Sequence, residues 1–256
     1  MSKQSGLGDA LYLHGYDRSG DIGSLDKVSG GAADINTTGI DKGAMERILG
    51  IRDGGIDYKA FFNPDATTGV HARLSTLPTT DQIITYCRGT TLGSPAACLV
   101  AKQLNYDPKR GNSGEINFDV SSVANGYGLE WGQLLTAGKR TDTTATNGTG
   151  VDFGLGSPPL FNGAGLFGAQ FYLHVFAFTG TSVTVKIQES SDNGGTDPFT
   201  DTTGGAFTAA TGITAQRLET ARGQTVKRYL RAVTTGTFSN AVFAVVANRN
   251  DVSTVF

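Results

Sequence analysis

The chain has 256 residues, 38% of them hydrophobic and 17% charged, and its 36 glycines are about twice the ordinary share. A chain of this size buries about 70% of the surface that its unfolded form exposes, so a large core is available and disorder throughout is excluded. The formal net charge is −2, divided as 14 Lys and Arg against 16 Asp and Glu in residues 1–150 and 7 against 7 in the remainder. Neither part carries the positive excess that binding to a phosphate backbone requires.

No window holds the ~20 consecutive apolar residues of a membrane helix, and residues 1–10 lack the basic start and apolar stretch of a secretion signal, so a soluble, unexported protein is expected. A first strand is read at residues 10–14. Residues 17–39 are Gly-rich and weakly periodic and are read as an extended loop, a length that is uncommon unless the loop has a job. A helix is expected over residues 41–49, with Asp41 as N-cap, Met45, Ile48 and Leu49 on one stripe and Gly50 as the stop.

After a short strand at residues 59–62, a second helix is expected over residues 79–88. There Thr79-Thr80-Asp81-Gln82 reads as a capping box, Ile83, Tyr86 and Cys87 have helical spacing, and Gly89 ends the run. Strands are read at 97–106, 115–123 and 127–135. In the middle one Ile116, Phe118 and Val120 alternate with Asn117, Asp119 and Ser121, giving one apolar and one polar face. Trp131, the only tryptophan, shares strand parity with Leu129 and Leu135 and is assigned to the core.

Residues 141–159 are rich in Thr, Gly, Ser and Pro and lack either hydrophobic period, so a domain junction is placed there. Beyond it, strands are read at 170–178, 182–188, 228–234 and 241–247, with turns at Asp192-Asn193-Gly194-Gly195 and Thr234-Thr235-Gly236. The fold class expected is mainly β: a β-sandwich domain with a packed helix over residues 1–145, then a second β-sandwich over 160–256.

The chemistry-bearing patterns do not converge on a reaction. Gly163-Ala164-Gly165-Leu166-Phe167-Gly168 matches GxGxxG, but it follows a Pro-Pro linker and opens a strand, whereas a dinucleotide loop follows a strand and opens a helix. His14, His71 and His174 are isolated, and neither Cys87 nor Cys98 lies in an activating motif. The Asp192 to Asp197 segment offers oxygens to calcium without the regular loop spacing, and a hairpin turn is the plainer reading. Lys227-Arg228-Tyr229-Leu230-Arg231 mixes basic and aromatic residues as single-strand binders do, and alternation on a strand explains it equally. No catalytic, cofactor or metal residues are assigned, and no enzyme is expected.

Several blocks nevertheless resemble the major tail (tail tube) proteins of long-tailed bacteriophages. These are Gln103-Leu104-Asn105-Tyr106-Asp107-Pro108-Lys109-Arg110, Asn125-Gly126-Tyr127-Gly128-Leu129-Glu130-Trp131-Gly132 and Leu135-Thr136-Ala137-Gly138. Upstream, Met45-Glu46-Arg47-Ile48-Leu49-Gly50, Asp53-Gly54-Gly55, Phe61-Phe62-Asn63-Pro64, Thr80-Asp81-Gln82-Ile83-Ile84 and Tyr86-Cys87-Arg88-Gly89-Thr90 fit the same group. The resemblance covers residues 9–142, and 165–247 look like the sandwich domain that some of these proteins append.

What the resemblance implies is a virion tail subunit, made and assembled in the host bacterial cytoplasm, whose copies form hexameric rings stacked into a tube. Tape measure, tail terminator and tail-tip proteins would be its partners, and double-stranded DNA would pass through the lumen without specific binding. Residues 79–88 would be an outer helix, and residues 2–8, 17–39 and 50–69 would reach neighbouring subunits. A lumen lined with cations would hold DNA back, so acidic or neutral polar residues are expected there. Asn117, Asp119, Ser121 and Glu130 are the lumen candidates. An alternative is a carbohydrate-binding or cell-surface module, with Tyr172 or Tyr229 in the C-terminal sandwich meeting a host-surface glycan.

Overall fold

The computed structural model describes residues 5–154 and 163–253. In chain order the strands are β1 Ala10–Leu13, β2 Tyr16–Asp17, β3 Ile22–Asn36, β4 Arg47–Phe61, β5 Gln82–Cys87, β6 Pro95–Gln103, β7 Asp107–Arg110 and β8 Ile116–Ala124. They continue as β9 Glu130–Leu134, β10 Arg140–Asp142, β11 Val151–Asp152, β12 Ala169–Ser190, β13 Thr200–Ala206, β14 Thr214–Glu219 and β15 Tyr229–Arg249. The protein is mainly β, as expected, and every ladder described is antiparallel. Among the described residues the one α-helix is short, α1 Val70–Leu74, and buries Val70 and Leu74.

Both helices expected from the sequence are corrected. The second lies on β5, whose residues from Gln82 to Thr85 are all buried. A strand covered on both sides reads as a continuous apolar run, and Ile83, Ile84 and Thr85 are β-branched. The supposed capping box is instead a turn, in which the Gln82 side-chain amide donates to the carbonyls of Thr80 and Asp81. The first expected helix, residues 41–49, is the tip and return of a long hairpin. Residues 17–39, read as a loop, hold most of its outgoing strand: β3 and β4 pair from Ile22 with Ala60 to Asn36 with Arg47. Local periodicity could not show this, because the partner strand supplies the backbone hydrogen bonds that override helix propensity.

Trp131 is also corrected, since it is 50% exposed. The parity argument fails at both ends of β9, where Leu129 and the adjacent Glu130 are buried together, as are Leu134 and Leu135. The alternation that assigned Trp131 to the core is thereby broken.

The chain groups into two compact units that interleave in sequence. One gathers the segments up to Ser19, Ile83–Cys98 and the chain from Trp131 on, and the other gathers Gly20–Gln82 and Leu99–Glu130. This cut differs from the sequential division at 145 and 160, because β10 and β11, inside the supposed junction, are hydrogen-bonded to β15.

In the first unit, β12 and β15 run together over nearly their whole length, with β14 and β13 on the outer edge of β12. A straight 22-residue strand would reach about 70 Å. Yet Phe171, Leu173 and Val175 from its first half share one core with Val183, Val185 and Ile187 from its second. The ladder must therefore bend, and it does so through register shifts between Val175 and Ser182. Gly180 (φ 148°) and Gly236 (φ 122°) occupy that bend. Phe243, Val245 and Leu230 complete the core, each burial of this kind contributing about 1.5–3 kcal/mol.

Candidate assembly surface

The second unit is built on the sheet β3, β4, β8, with β7 and the end of β6 pairing β8 further along. Its sequence alternates: in β4, Ile56, Tyr58 and Ala60 are buried, as are Phe118 and Val120 in β8. The intervening positions form the opposite face. Lys27 stands across from Asp57, Asp57 from Ser121, Lys59 from Asp119, Phe61 from Asn117, Lys109 from Asn117, and Asp107 from Asp119. Residues directly opposed in an antiparallel ladder project to one side. Asn117, Asp119 and Ser121 are thus brought together on a single polar face of four strands. Glu130 is not with them, being 5% exposed.

The charges on this face alternate in sign. Lys109 pairs with Asp119, and Lys59 lies 4.0 Å from Asp26. The hydrogen bond from Lys109 is the main cause that holds the Asp119 carboxyl below the usual range. Asp57 accepts the Ser121 hydroxyl. Counting Asp26, Asp53, Asp57, Asp107 and Asp119 against Lys27, Lys59 and Lys109, the face is net acidic, and every lysine has a carboxylate opposite or beside it. Beside Lys27 and Asp57 the small residues Ser29, Gly31, Gly55 and Ser121 leave a shallow groove. The lysines and the extra carboxylates were legible in principle, since Asp53, Gly55, Asp57 and Lys59 alternate with Gly54, Ile56, Tyr58 and Ala60.

Beyond the sheet the hairpin continues as a two-stranded ribbon. β8 pairs β4 only from Gly55 to Phe61, so the stretch of β4 from Arg47 to Gly54 has β3 alone as its partner. At the point of departure Gly30 faces Gly54, and Leu129 crosses over both: a Cβ on Gly30 would stand 2.6 Å from Leu129 Cβ, and one on Gly54 2.8 Å from Leu129 N. The ribbon exposes large apolar side chains on both faces. Ile35 and Ile48 are paired and 45% and 55% exposed, while Leu49 and Ile51 are 80% and 86% exposed. Its tip is closed by Thr38, whose hydroxyl oxygen accepts the Glu46 N–H at 2.9 Å.

The other sequence candidates resolve into structural roles. His174 is buried between Thr85 and the Gly15 amide. His71 lies against Phe62 and 3.2 Å from the Tyr106 hydroxyl. His14 accepts the Ile83 N–H. Cys87 and Cys98 are buried, Cys98 with its sulfur 3.4 Å from the Thr85 hydroxyl, and burial pushes the Cys87 thiol up to about 12, so it is not a nucleophile at neutral pH. Asp192 folds its own turn, accepting the amides of Gly195, Thr196 and Asp197. Lys227 pairs with Asp197, Arg228 with Asp152, and Arg231 bonds Gln188 and lies over Phe199. Gly165 bridges Val226 just before β12.

Among the described residues, no group of three or more His, Cys, Asp or Glu could hold a metal ion, and no helix is long and apolar enough to cross a membrane. Tyr172, offered as an exposed ligand-binding aromatic, is corrected: it is fully buried, and its hydroxyl accepts from Arg217 at 3.0 Å. It lies on the face of β12 opposite the core residues Phe171 and Leu173, with the Arg217 guanidinium over its ring.

No protein-family model and no curated protein matches the chain. Among solved structures, it is similar to a chain from the virion of a native gene transfer agent particle, at 17% identity and TM-score 0.40, over 50% of this chain and 98% of that one. A chain from the tail of an empty gene transfer agent particle, computed with C6 helical symmetry, gives 16% identity and TM-score 0.40 over 49% and 97%. The Dit protein of phage SPP1, described as a hub of the adsorption apparatus in phages that infect Gram-positive bacteria, gives 13% and TM-score 0.33 over 94% and 98%.

Proposed function

We propose that the chain is a structural, non-enzymatic subunit of a long-tailed bacteriophage tail, and that its copies form hexameric rings stacked as the tail tube through which DNA leaves. The observation that carries self-assembly is the β3–β4 ribbon. A two-stranded ribbon is at best marginally stable in water, and one that exposes Leu49, Ile51, Ile48 and Ile35 needs a surface to cover it. The stretches predicted from the resemblance to reach neighbours, residues 17–39 and 50–69, contain all of β3 and the part of β4 from Gly50 on, while Ile48 and Leu49 lie just outside them. Of the third such stretch, residues 2–8, the first three lie outside the described residues.

The polar face is the proposed lumen wall. It is net acidic, and its lysines are matched by carboxylates, so a phosphate backbone meets repulsion rather than a binding site. Asn117, Asp119 and Ser121 would line the channel, and Glu130 would not. Residues 160–256 would decorate the exterior, and tape measure, terminator and tip proteins would meet the tube at its bore and ends. Assembly would take place in the host cytoplasm, before the tail joins the virion.

Electron microscopy of the purified protein at rising concentration tests the reading. Rings or tubes with an axial channel wide enough for duplex DNA are expected. A protein that stays monomeric at every concentration, with fragments of tail tube added as seeds, overturns it.

A further inference from the structure

Asp53-Gly54 is the one Asp-Gly step in the sequence, and it stands where the ribbon leaves the sheet. We propose that it is a site of spontaneous backbone modification, at which the Asp53 carboxyl closes on the Gly54 nitrogen to a succinimide that opens to isoaspartate. The chemistry rests on local geometry and holds with or without the tube.

The end of a ladder sets that geometry. Phe62 N–H bonds Ile116 O, and β4 pairs β8 without a shift from Phe61 to Gly55, so even-numbered amides of β4 point toward β8. Gly54 is the next even position, one step past the last pair. Its N–H turns to its own neighbour and donates to Asp53 Oδ1 at 2.7 Å. The carboxyl carbon lies one bond behind that oxygen. In a flexible chain the side chain must search for this arrangement, whereas here the fold holds the two reacting groups together. Position 54 requires glycine for a separate reason, since a Cβ there would stand 2.8 Å from Leu129 N. The same lack of a side chain leaves the Gly54 nitrogen unshielded. Asp53 is exposed and stands across from Gly31, so water reaches the ring that forms.

The Asn-Gly steps share this chemistry but are held otherwise. Gly148 N–H bonds Ala232 O and Gly194 N–H bonds Ser190 Oγ, so after Asn147 and Asn193 the nitrogen is engaged elsewhere. The Asn125 side-chain amide donates to Asp81. Asn162 lies outside the described residues.

The step needs no oxidant or cofactor. The bond from Gly54 N to Asp53 Cγ forms, the Cγ–OH bond of the protonated carboxyl breaks, and the hydroxyl leaves with the amide proton as water. Water then adds to the ring carbonyl that was the Asp53 backbone carbonyl, and the bond from that carbon to nitrogen breaks. The chain now runs through Cβ and Cγ and is one carbon longer. Asp53 pairs with Gly31 and Gly54 with Gly30, so the extra carbon falls between two rungs of the hairpin. It displaces the stretch of β4 that carries Ile48, Leu49 and Ile51 against the stretch that β8 holds.

Ageing the folded full chain just below neutral pH tests the assignment. Cleavage after lysine releases residues 43–59 as one peptide. A form one water lighter is expected first, then a second form of the original mass, with fragmentation placing the β-linkage at position 53 and isoaspartyl methyltransferase labelling it. The conversion should run at least as fast in the folded chain as in the same chain unfolded in guanidinium chloride. Asp53→Glu, an exposed and charge-conserving change that leaves the fold intact, would need a six-membered ring and should abolish it. A 43–59 peptide that stays unchanged in the folded chain while the unfolded chain converts, or that is still labelled in Asp53→Glu, overturns the proposal.

Discussion

The amide of Gly15 donates to Nδ1 of His174 at 3.1 Å across 159 positions of sequence. With Nδ1 accepting, the ring proton resides on Nε2, which lies 2.8 Å from the Thr85 hydroxyl. Protonating the ring would remove the acceptor that holds the β1–β2 turn. Burial is the main reason that the His174 pKa is held down to about 3. The unfolded chain takes up this proton near pH 6.5 and the folded one does not, so stability is complete above about 6.5 and falls as pH drops toward 3, by up to ~1.4 kcal/mol per pH unit.

Carboxylates with lowered pKa values, such as Asp17 and Asp152, lose their contribution only below about 4, under their ordinary value of 3.8. Glu189, raised by burial, acts in the opposite sense. Urea midpoints between pH 4 and 7 should therefore slope with pH in the native protein, and the slope should shrink in His174→Gln. Equal slopes would mean that another group dominates the window.

Gly180 and Gly236 make the bend of β12 and β15 possible. A Cβ on Gly180 would stand 2.4 Å from Phe238 Cα, and one on Gly236 2.4 Å from the Ser182 carbonyl oxygen. Both also hold a positive φ, so Gly180→Ala and Gly236→Ala should each cost about 1–3 kcal/mol by chemical denaturation. Gly212→Ala, at a site with nothing within 4 Å, is the control and should be near neutral.

The same bend shows how much the sequence discloses. Residues 170–178 and 182–188 are correctly read as strands, and so are 228–234 and 241–247, but each pair is one long strand in the structure. Gly180 and Gly236 signal a break in the period, and a break looks alike whether the chain turns away or only bends. On the assembly face the alternation in β8 placed Asn117, Asp119 and Ser121 correctly opposite Phe118 and Val120. Their neighbours Lys27, Lys59 and Lys109 come from other strands, whose register is set by pairing across long separations. Glu130 is buried and Trp131 half-exposed because inward and outward positions do not alternate strictly along residues 129–135, where Leu129 and Glu130 are both buried, as are Leu134 and Leu135.

The ribbon separates assembly from folding. Leu49 and Ile51 are 80% and 86% exposed, so Leu49→Ser with Ile51→Ser should leave the stability of the free subunit within about 0.5 kcal/mol. Ring or tube formation, followed by sedimentation and microscopy, should be lost. A folded double variant that assembles normally would remove the ribbon from the interface.

The charge pattern of the polar face makes its position in the tube measurable. Asp57→Lys with Asp119→Lys reverses the balance from five carboxylates and three ammonium groups to three and five. It also releases Lys109 from Asp119. If the face lines the channel, assembled tubes of this variant should retain duplex DNA that the native tubes let pass. Retention should weaken steeply with salt, each phosphate contact adding about 0.9 to the logarithmic salt slope. The same two lysines on an outer wall would leave passage through the bore unchanged, and any DNA bound would be open to nuclease. Nuclease protection of the retained DNA therefore decides between a lumen and an exterior face.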